Sequence, residues 1–325
     1  MPKPTRHAAL DAESHARLFL QLAHTEKAGF PAAEAFGMIA KNDTTLRKRL
    51  DTMPARLKSG QKIADAGFKA GLFDDNHRIL VAAAENSGKL AELYKKLADY
   101  YNGVAKRQKK MRSRLYLPAF ILAMAFFVQP LPQLVTAKIS LGRYLYESAG
   151  QLLIMAIGIT LLIKLPRILA SMNLMAEWHH LQLRVPPIAK WITNRQLNTF
   201  FFMLAMLLDA GQPFTTALPQ AIASIKNTPL RKQFAPALAM METGSSVAET
   251  LASVALIKAN TLQIIKSGEH SGQLAGTLLH FTEIDAENLA LQDEAFAEWL
   301  PRLVYTAIGL WMAASILAQG LPHLA

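Results

Sequence analysis

Read for the spacing of apolar and polar positions, the chain is helical nearly throughout. From Glu13 on, Leu18, Leu22, Ala23 and Ala28 recur at the three- and four-residue intervals that place side chains on one helix face. Gly29 suits the end of that helix and Pro31 the first turn of the next. The pattern predicts helices over 32–41 and 45–58 and a break at Gly60. A further helix, capped by Asp74 or Asp75, should end near Asn86, and another should run from Lys89 past Tyr101. No strand-like alternation interrupts the series.

Three stretches lose the polar face altogether. Leu115–Ala137 carries no charge over about 23 residues, enough to cross a bilayer. Pro118, Pro130 and Pro132 lie within it, which a membrane helix tolerates when its neighbours satisfy the freed carbonyls. A buried soluble helix is the alternative, and the run Lys106, Arg107, Lys109, Lys110, Arg112 and Arg114 just ahead argues against it. The second stretch ends with Lys164 and Arg167, whose stems let their charges reach an interface. Trp299 and Arg302 open the third.

The expected class is therefore an all-α membrane protein with two homologous cytoplasmic helical bundles and three transmembrane helices. Its expected parts are an N-terminal tail 1–12, a first bundle 13–111, and a transmembrane helix 112–137. A periplasmic connection 138–148 follows, in which Tyr144 and Tyr146 suit lipid headgroups, then a transmembrane helix 149–170. A second bundle 171–298 and a transmembrane helix 299–322 complete the chain. The basic run ahead of the first span keeps the N-terminus in the cytosol. Two spans return the chain to that side, and the third leaves the C-terminus outside. The acidic run Glu283, Asp285, Glu287, Asp293, Glu294 and Glu298 precedes the third span, and acidic residues weigh little in this rule.

The two bundles are copies of each other. Glu85-Asn86-Ser87-Gly88-Lys89-Leu90 and Glu269-His270-Ser271-Gly272-Gln273-Leu274 share the pattern Glu-x-Ser-Gly-x-Leu. Leu22-Ala23 aligns with Leu204-Ala205, and Ala28-Gly29-x-Pro31 with Ala210-Gly211-x-Pro213. After a two-residue shift, Leu46-Arg47-Lys48 meets Leu230-Arg231-Lys232 and Gly60 meets Gly244. So many ordered Gly and Pro positions mark an internal duplication rather than chance likeness of Leu/Ala-rich helices. In each motif copy the Gly should supply a left-handed turn, the Ser should cap the following helix, and the Glu should be structural rather than one of a catalytic pair.

Composition sharpens this picture in two places. Half the residues are hydrophobic and the net charge is +11, a balance that fits a membrane protein with its Lys/Arg on the cytosolic side. Nucleic-acid binding is the other usual reading of such charge, and no basic stripe with interleaved aromatics supports it. The absence of cysteine excludes disulfides and thiolate metal sites. Met1-Pro2-Lys3-Pro4-Thr5-Arg6 has no apolar core of a signal peptide. No phosphate-binding loop, metalloprotease helix or nucleophile elbow occurs, so neither an enzyme nor a cofactor is expected. His179-His180 is a weak metal candidate, because adjacent helical residues face different ways. The apolar stretches lack mid-depth acidic residues, which disfavours a permease subunit. A membrane-anchored signalling or scaffold protein stays open as an alternative.

The layout of bundle, span, span, bundle, span, with Leu-x-x-x-x-x-Ala-Gly-x-Pro (Leu22 to Pro31, Leu204 to Pro213) and Glu-x-Ser-Gly-x-Leu, resembles the type II secretion system F family. Its members are polytopic inner-membrane platform proteins of type IV pilus and type II secretion machines. The resemblance covers about 15–321, without the longer N-terminal region many members carry. It implies a bacterial inner-membrane location and a non-enzymatic role. The implied partners are membrane lipid, a cytoplasmic secretion or pilus assembly ATPase, pilin or pseudopilin, and other inner-membrane assembly proteins. A homo-oligomer, with a dimer favoured, is also implied.

One contrast between the copies carries its own expectation. In the motif register Lys109, Lys110 and Arg114 fall on Asp293, Glu294 and Glu298, opposite charges at equivalent juxtamembrane positions. The basic set alone would attract anionic lipid by about 1 kcal/mol per residue. The sharper expectation is that the two sets pair, within one chain or between two.

Overall fold

A computed structural model describes residues 10–128, 130–135, 139–171 and 175–318. Among these the secondary structure is entirely helical. The first repeat copy comprises α1 (Ala12–Lys27), α2 (Ala32–Asn42), α3 (Arg47–Leu50), α4 (Met53–Lys58), α5 (Ile63–Lys69), α6 (Asp75–Ser87) and α7 (Leu90–Val128). Between the copies lie α8 (Leu131–Val135), α9 (Leu141–Ser171) and α10 (Met175–Arg184). The second copy runs through α11 (Pro186–Asp209), α12 (Phe214–Ala223), α13 (Thr228–Lys232), α14 (Ala235–Glu242), α15 (Val247–Ala252), α16 (Ala259–His270) and α17 (Leu274–Ala318). Seven helices of one copy answer seven of the other in order, α1 to α11 through α7 to α17.

The chain divides into two compact units. One holds the described residues up to Lys106 together with His179–Asn288. The other holds Arg107–Trp178 and the chain from Leu289 on. The two bundles expected from sequence thus belong to a single unit. Its core joins Leu18, Phe19, Leu22, Phe36, Leu80, Tyr94 and Leu97 of the first copy to Phe200, Leu204, Leu218, Phe234, Leu251 and Leu278 of the second in one buried cluster. Each such side chain contributes roughly 1.5–3 kcal/mol by leaving water. None of the short helices α3, α4, α5, α13 or α15 would persist alone at four to seven residues; packing on this core holds them.

The copies meet through unlike faces. The Tyr100 ring of α7 stacks on Phe202 of α11, centroids 4.2 Å apart. Lys89 donates to the Asp209 carbonyl at 2.8 Å, and Lys96 forms an ion pair with the Asp209 carboxylate. Two ammonium groups therefore sit at the C-terminal end of α11, where the unsatisfied carbonyls favour positive charge.

The other unit is built differently. α7 is long and apolar enough, by length and composition, to cross a membrane. Tyr116, Leu117 and Phe120 on α7, Leu153, Ile154 and Ile157 on α9, and Leu310 on α17 all stand exposed. The uncharged stretch expected as one helix over 112–137 is interrupted: α7 stops at Val128 and α8 resumes at Leu131. Pro130, which has no N–H to continue the ladder, stands in the gap. α9 begins at Leu141, inside the expected connection 138–148. Tyr144 is buried there and its hydroxyl donates to the Phe127 carbonyl at 2.9 Å, while Tyr146 is exposed. The expected helix 45–58 is also two pieces, separated by Asp51 and Thr52. The end of the expected span 299–322 lies outside the described residues beyond Ala318.

Candidate functional site

The Glu-x-Ser-Gly-x-Leu motif is a clamp between two helices. Glu85, in the last turn of α6, accepts the backbone N–H groups of Ile63 (3.0 Å) and Ala64 (3.4 Å) at the start of α5. Glu269 accepts those of Val247 (2.6 Å) and Ala248 (2.9 Å) at the start of α15. The first N–H groups of a helix have no partner within it, and a carboxylate satisfies them while opposing the positive end of the helix dipole. In the second copy Ser246 and Glu249 add a reciprocal capping box, so α15 is held by two carboxylates and a hydroxyl.

The other motif positions serve the turn. Gly88 and Gly272 adopt φ of 72° and 70°, the left-handed conformation expected of them. The N–H groups of Lys89 and Gln273 close back on the Ala84 and Gly268 carbonyls at 3.0 and 2.9 Å. The serines do not cap the following helix. Ser87 donates its hydroxyl to the Ala83 carbonyl at 3.1 Å and Ser271 to the Gly268 carbonyl at 3.2 Å, sealing the helix they end. Gly29 and Gly211 make the matching turn after α1 and α11. Pro31 and Pro213 stand just ahead of α2 and α12, and their carbonyls accept the first helical bonds.

The charged juxtamembrane residues divide. Lys110 forms an ion pair with Glu294, and Arg114 bridges Glu294 at 3.4 Å and Glu298 at 3.2 Å. The Lys110 bond holds the Glu294 carboxyl below its ordinary range. Lys109 is exposed and takes part in no ion pair among the described residues, and Asp293 lines the same cleft as Arg107 and Met111. These are surface contacts, each of small value alone.

Sequence reading missed a buried polar group in the first copy. His15 and His77 lie with ring centroids 4.9 Å apart beneath Tyr101, whose hydroxyl meets His77 Nε2 at 2.7 Å. His77 also completes a capping box with Asp74 at the start of α6. Burial, reinforced by the neighbouring His77, pushes the His15 imidazole down to about 4. The second copy has Leu197 and Thr261 at these histidine positions and Asp285 in place of Tyr101. There Asn198 donates to the Thr282 carbonyl and the Asp285 carboxylate, both at 3.0 Å. In sequence these positions change from imidazole, imidazole and phenol to leucine, threonine and aspartate. His179 accepts the Thr228 N–H at 3.4 Å, a structural use, and no cluster able to hold a metal occurs among the described residues.

This arrangement joins short helices through half-buried carboxylates, and the two copies through the Tyr100–Phe202 stack and the Lys89 and Lys96 bonds to Asp209. Comparison with known proteins gives the family. The family model for type II secretion system (T2SS), protein F matches residues 18–131 and 200–322, both repeat copies with their long last helices. The chain belongs to the type II secretion system F family. It is 26% identical to the type II secretion system protein F of Vibrio cholerae, covering 91% of this chain and 75% of that one. It is 23% identical to the protein transport protein HofC homolog of Escherichia coli, over 95% and 83%. To the type IV pilus assembly protein PilC of Pseudomonas aeruginosa it is 20% identical, over 93% and 87%.

Proposed function

We propose that this chain is an inner-membrane platform protein of a type IV pilus or type II secretion apparatus, coupling a cytoplasmic assembly ATPase to pilin or pseudopilin assembly. The observation that carries the reading is the family match across both repeat copies. The two-copy unit, with its closed core, is the cytosolic part that meets the ATPase. The exposed apolar residues of α7, α9 and α17 face lipid in three spans, with the N-terminus in the cytosol and the C-terminus in the periplasm. The role is mechanical: the helices clamped by Glu85 and Glu269 pass a displacement to α7 and α17, and no bond in a substrate is made or broken. The protein works as a homo-oligomer.

Deleting the gene in its own bacterium tests this. Surface pili or secreted proteins should be lost, and a plasmid copy should restore them. Reporter fusions after residue 105 and after residue 290 should report cytosolic and one at 142 periplasmic. Photo-crosslinkers on the exposed surface of the two-copy unit should capture an ATPase. Normal pili and secretion in the deletion strain would overturn the reading, and a periplasmic signal at 290 would overturn the three-span arrangement.

A further inference from the structure

In the register of the repeat Ala12, where α1 begins, answers Asn194, yet α11 starts eight residues earlier at Pro186, with α10 just ahead of it. At the positions of Ile188 and Trp191 the first copy has Arg6 and Ala9. The extra helix of the second copy is apolar on two sides. Leu183 of α10 and Ile192 of α11 pack against the buried core, and the Thr228 N–H bond to His179 ties α10 to the same unit. By contrast Leu181 is 52%, Val185 40%, Ile188 45% and Trp191 42% exposed. A helix that meets the core on one side and shows large apolar side chains on another calls for a second apolar surface.

Charge identifies that surface. From Trp178 to Leu208 the sequence holds no Asp or Glu, while Arg184, Lys190 and Arg195 fall within it. Arg184 and Lys190 are exposed, and the Arg195 guanidinium lies 4.4 Å from the centre of the Trp191 ring. Apolar side chains interleaved with cations and free of anions suit a helix lying in the headgroup layer of an anionic bilayer. Chain position agrees: α10 begins four residues after α9 ends, and α9 carries exposed Leu153, Ile154, Ile157 and Leu161. We propose that α10 and the start of α11 lie on the cytosolic leaflet, with Leu181, Val185, Ile188 and Trp191 inserted among acyl chains and Arg184 and Lys190 on anionic lipid phosphates. An anionic leaflet meets the apolar and the basic side chains at once. This rests on the proposed span at α9 and adds the surface that holds the second copy to the bilayer.

The chain has no cysteine, so single sites can be labelled without removing any residue first. Leu181→Cys, Val185→Cys and Ile188→Cys, each at an exposed position, receive an environment-sensitive fluorophore in nanodiscs containing phosphatidylglycerol. Ile154→Cys marks the α9 span, and Phe30→Cys is an exposed site expected in water. Nitroxide on the lipid acyl chains should quench the three labels, at a depth on the order of 5–10 Å below the headgroups, and iodide should not. The Phe30→Cys label should do the opposite. Arg184→Gln with Lys190→Gln, or discs of phosphatidylcholine alone, should lose most of the lipid quenching and let iodide in. Labels open to iodide and untouched by the lipid nitroxide would overturn the proposal, as would equal quenching in the two bilayers. Labels shielded from both quenchers would assign the face to a second copy of the chain, which overturns it too. Ile154→Cys reads the span separately. Lipid quenching there, with none at the three labels, refutes this surface alone; no quenching there refutes the span, and the three labels still report on the surface.

Discussion

The two repeat copies share the left-handed turns at Gly29 and Gly211, Gly60 and Gly244, and Gly88 and Gly272, and differ in how their interiors are filled. Gly67 of α5 lies against the Phe73 ring, so closely that a Cβ there would collide with it. The second copy has Leu251 at the position of Gly67 and Ile257 at that of Phe73, both buried. A small residue facing a large one has been exchanged for two of middle size, and the fold is kept. A second difference is polar: His15 and His77 under Tyr101 in one copy, Asn198 bonded to Asp285 in the other. The backbone-facing chemistry, Glu85 and Glu269 on their helix starts, is retained in both. Duplication thus keeps what holds the backbone and frees what fills space.

The largest break in this comparison should come from moving one copy's filling into the other halfway. Gly67→Leu alone should destabilise the protein by ~3 kcal/mol or more, since the ring has nowhere to go. Adding Phe73→Ile should recover a good part of it. Chemical unfolding in detergent, followed by the helix signal, measures both; failure of the second substitution to help would show that the copies are not interchangeable inside.

Acid should next separate the copies. The unfolded chain protonates His15 near 6.5, while the folded chain resists until about 4. Stability from this residue is complete above pH 6.5 and is lost as pH falls toward 4, by about 3 kcal/mol in all. Placing the second copy's residue there, His15→Leu, should flatten the pH dependence in that window. Melting temperatures at pH 7 and pH 4.5 read the difference, and an unchanged slope would remove His15 as its source.

The clamps should differ by degree. Glu269→Ala removes two short backbone bonds and should cost about 2 kcal/mol, and Glu85→Ala, with longer bonds, about 1 kcal/mol. Hydrogen exchange should show α15 and α5 fraying in the respective variants ahead of the rest. Equal losses would mean the distances carry no energetic weight.

The smallest effect on stability belongs to the juxtamembrane charges, whose pairs are exposed. Lys109, Lys110 and Arg114→Glu should nevertheless reduce pilus assembly or secretion, and adding Asp293, Glu294 and Glu298→Lys should restore part of it. Topology is read in each variant, because the basic run also orients the first span. A double exchange no better than the single one, with topology intact, would leave lipid attraction as the role of the basic set.

The helical class, the duplication, the left-handed glycines and the family likeness all follow from local signals, because helix period, turn glycines and apolar length are properties of neighbours in sequence. Reach across the fold is not. That Glu85 and Glu269 would cap helices some twenty residues upstream, and that Ser87 would turn back instead of forward, depends on which helix end packs beside the motif. Pro130 was visible as a residue, but the break in the helix at Pro130 is a backbone outcome. The pairing of Lys110 and Arg114 with Glu294 and Glu298 was suggested by charge at equivalent positions; the contact needed two long helices brought side by side. Asp209 facing Lys89 and Lys96 was decided only by tertiary structure. Two copies with nearly one sequence pattern can pack through like faces or unlike ones, and only the shape of the packed copies selects between them.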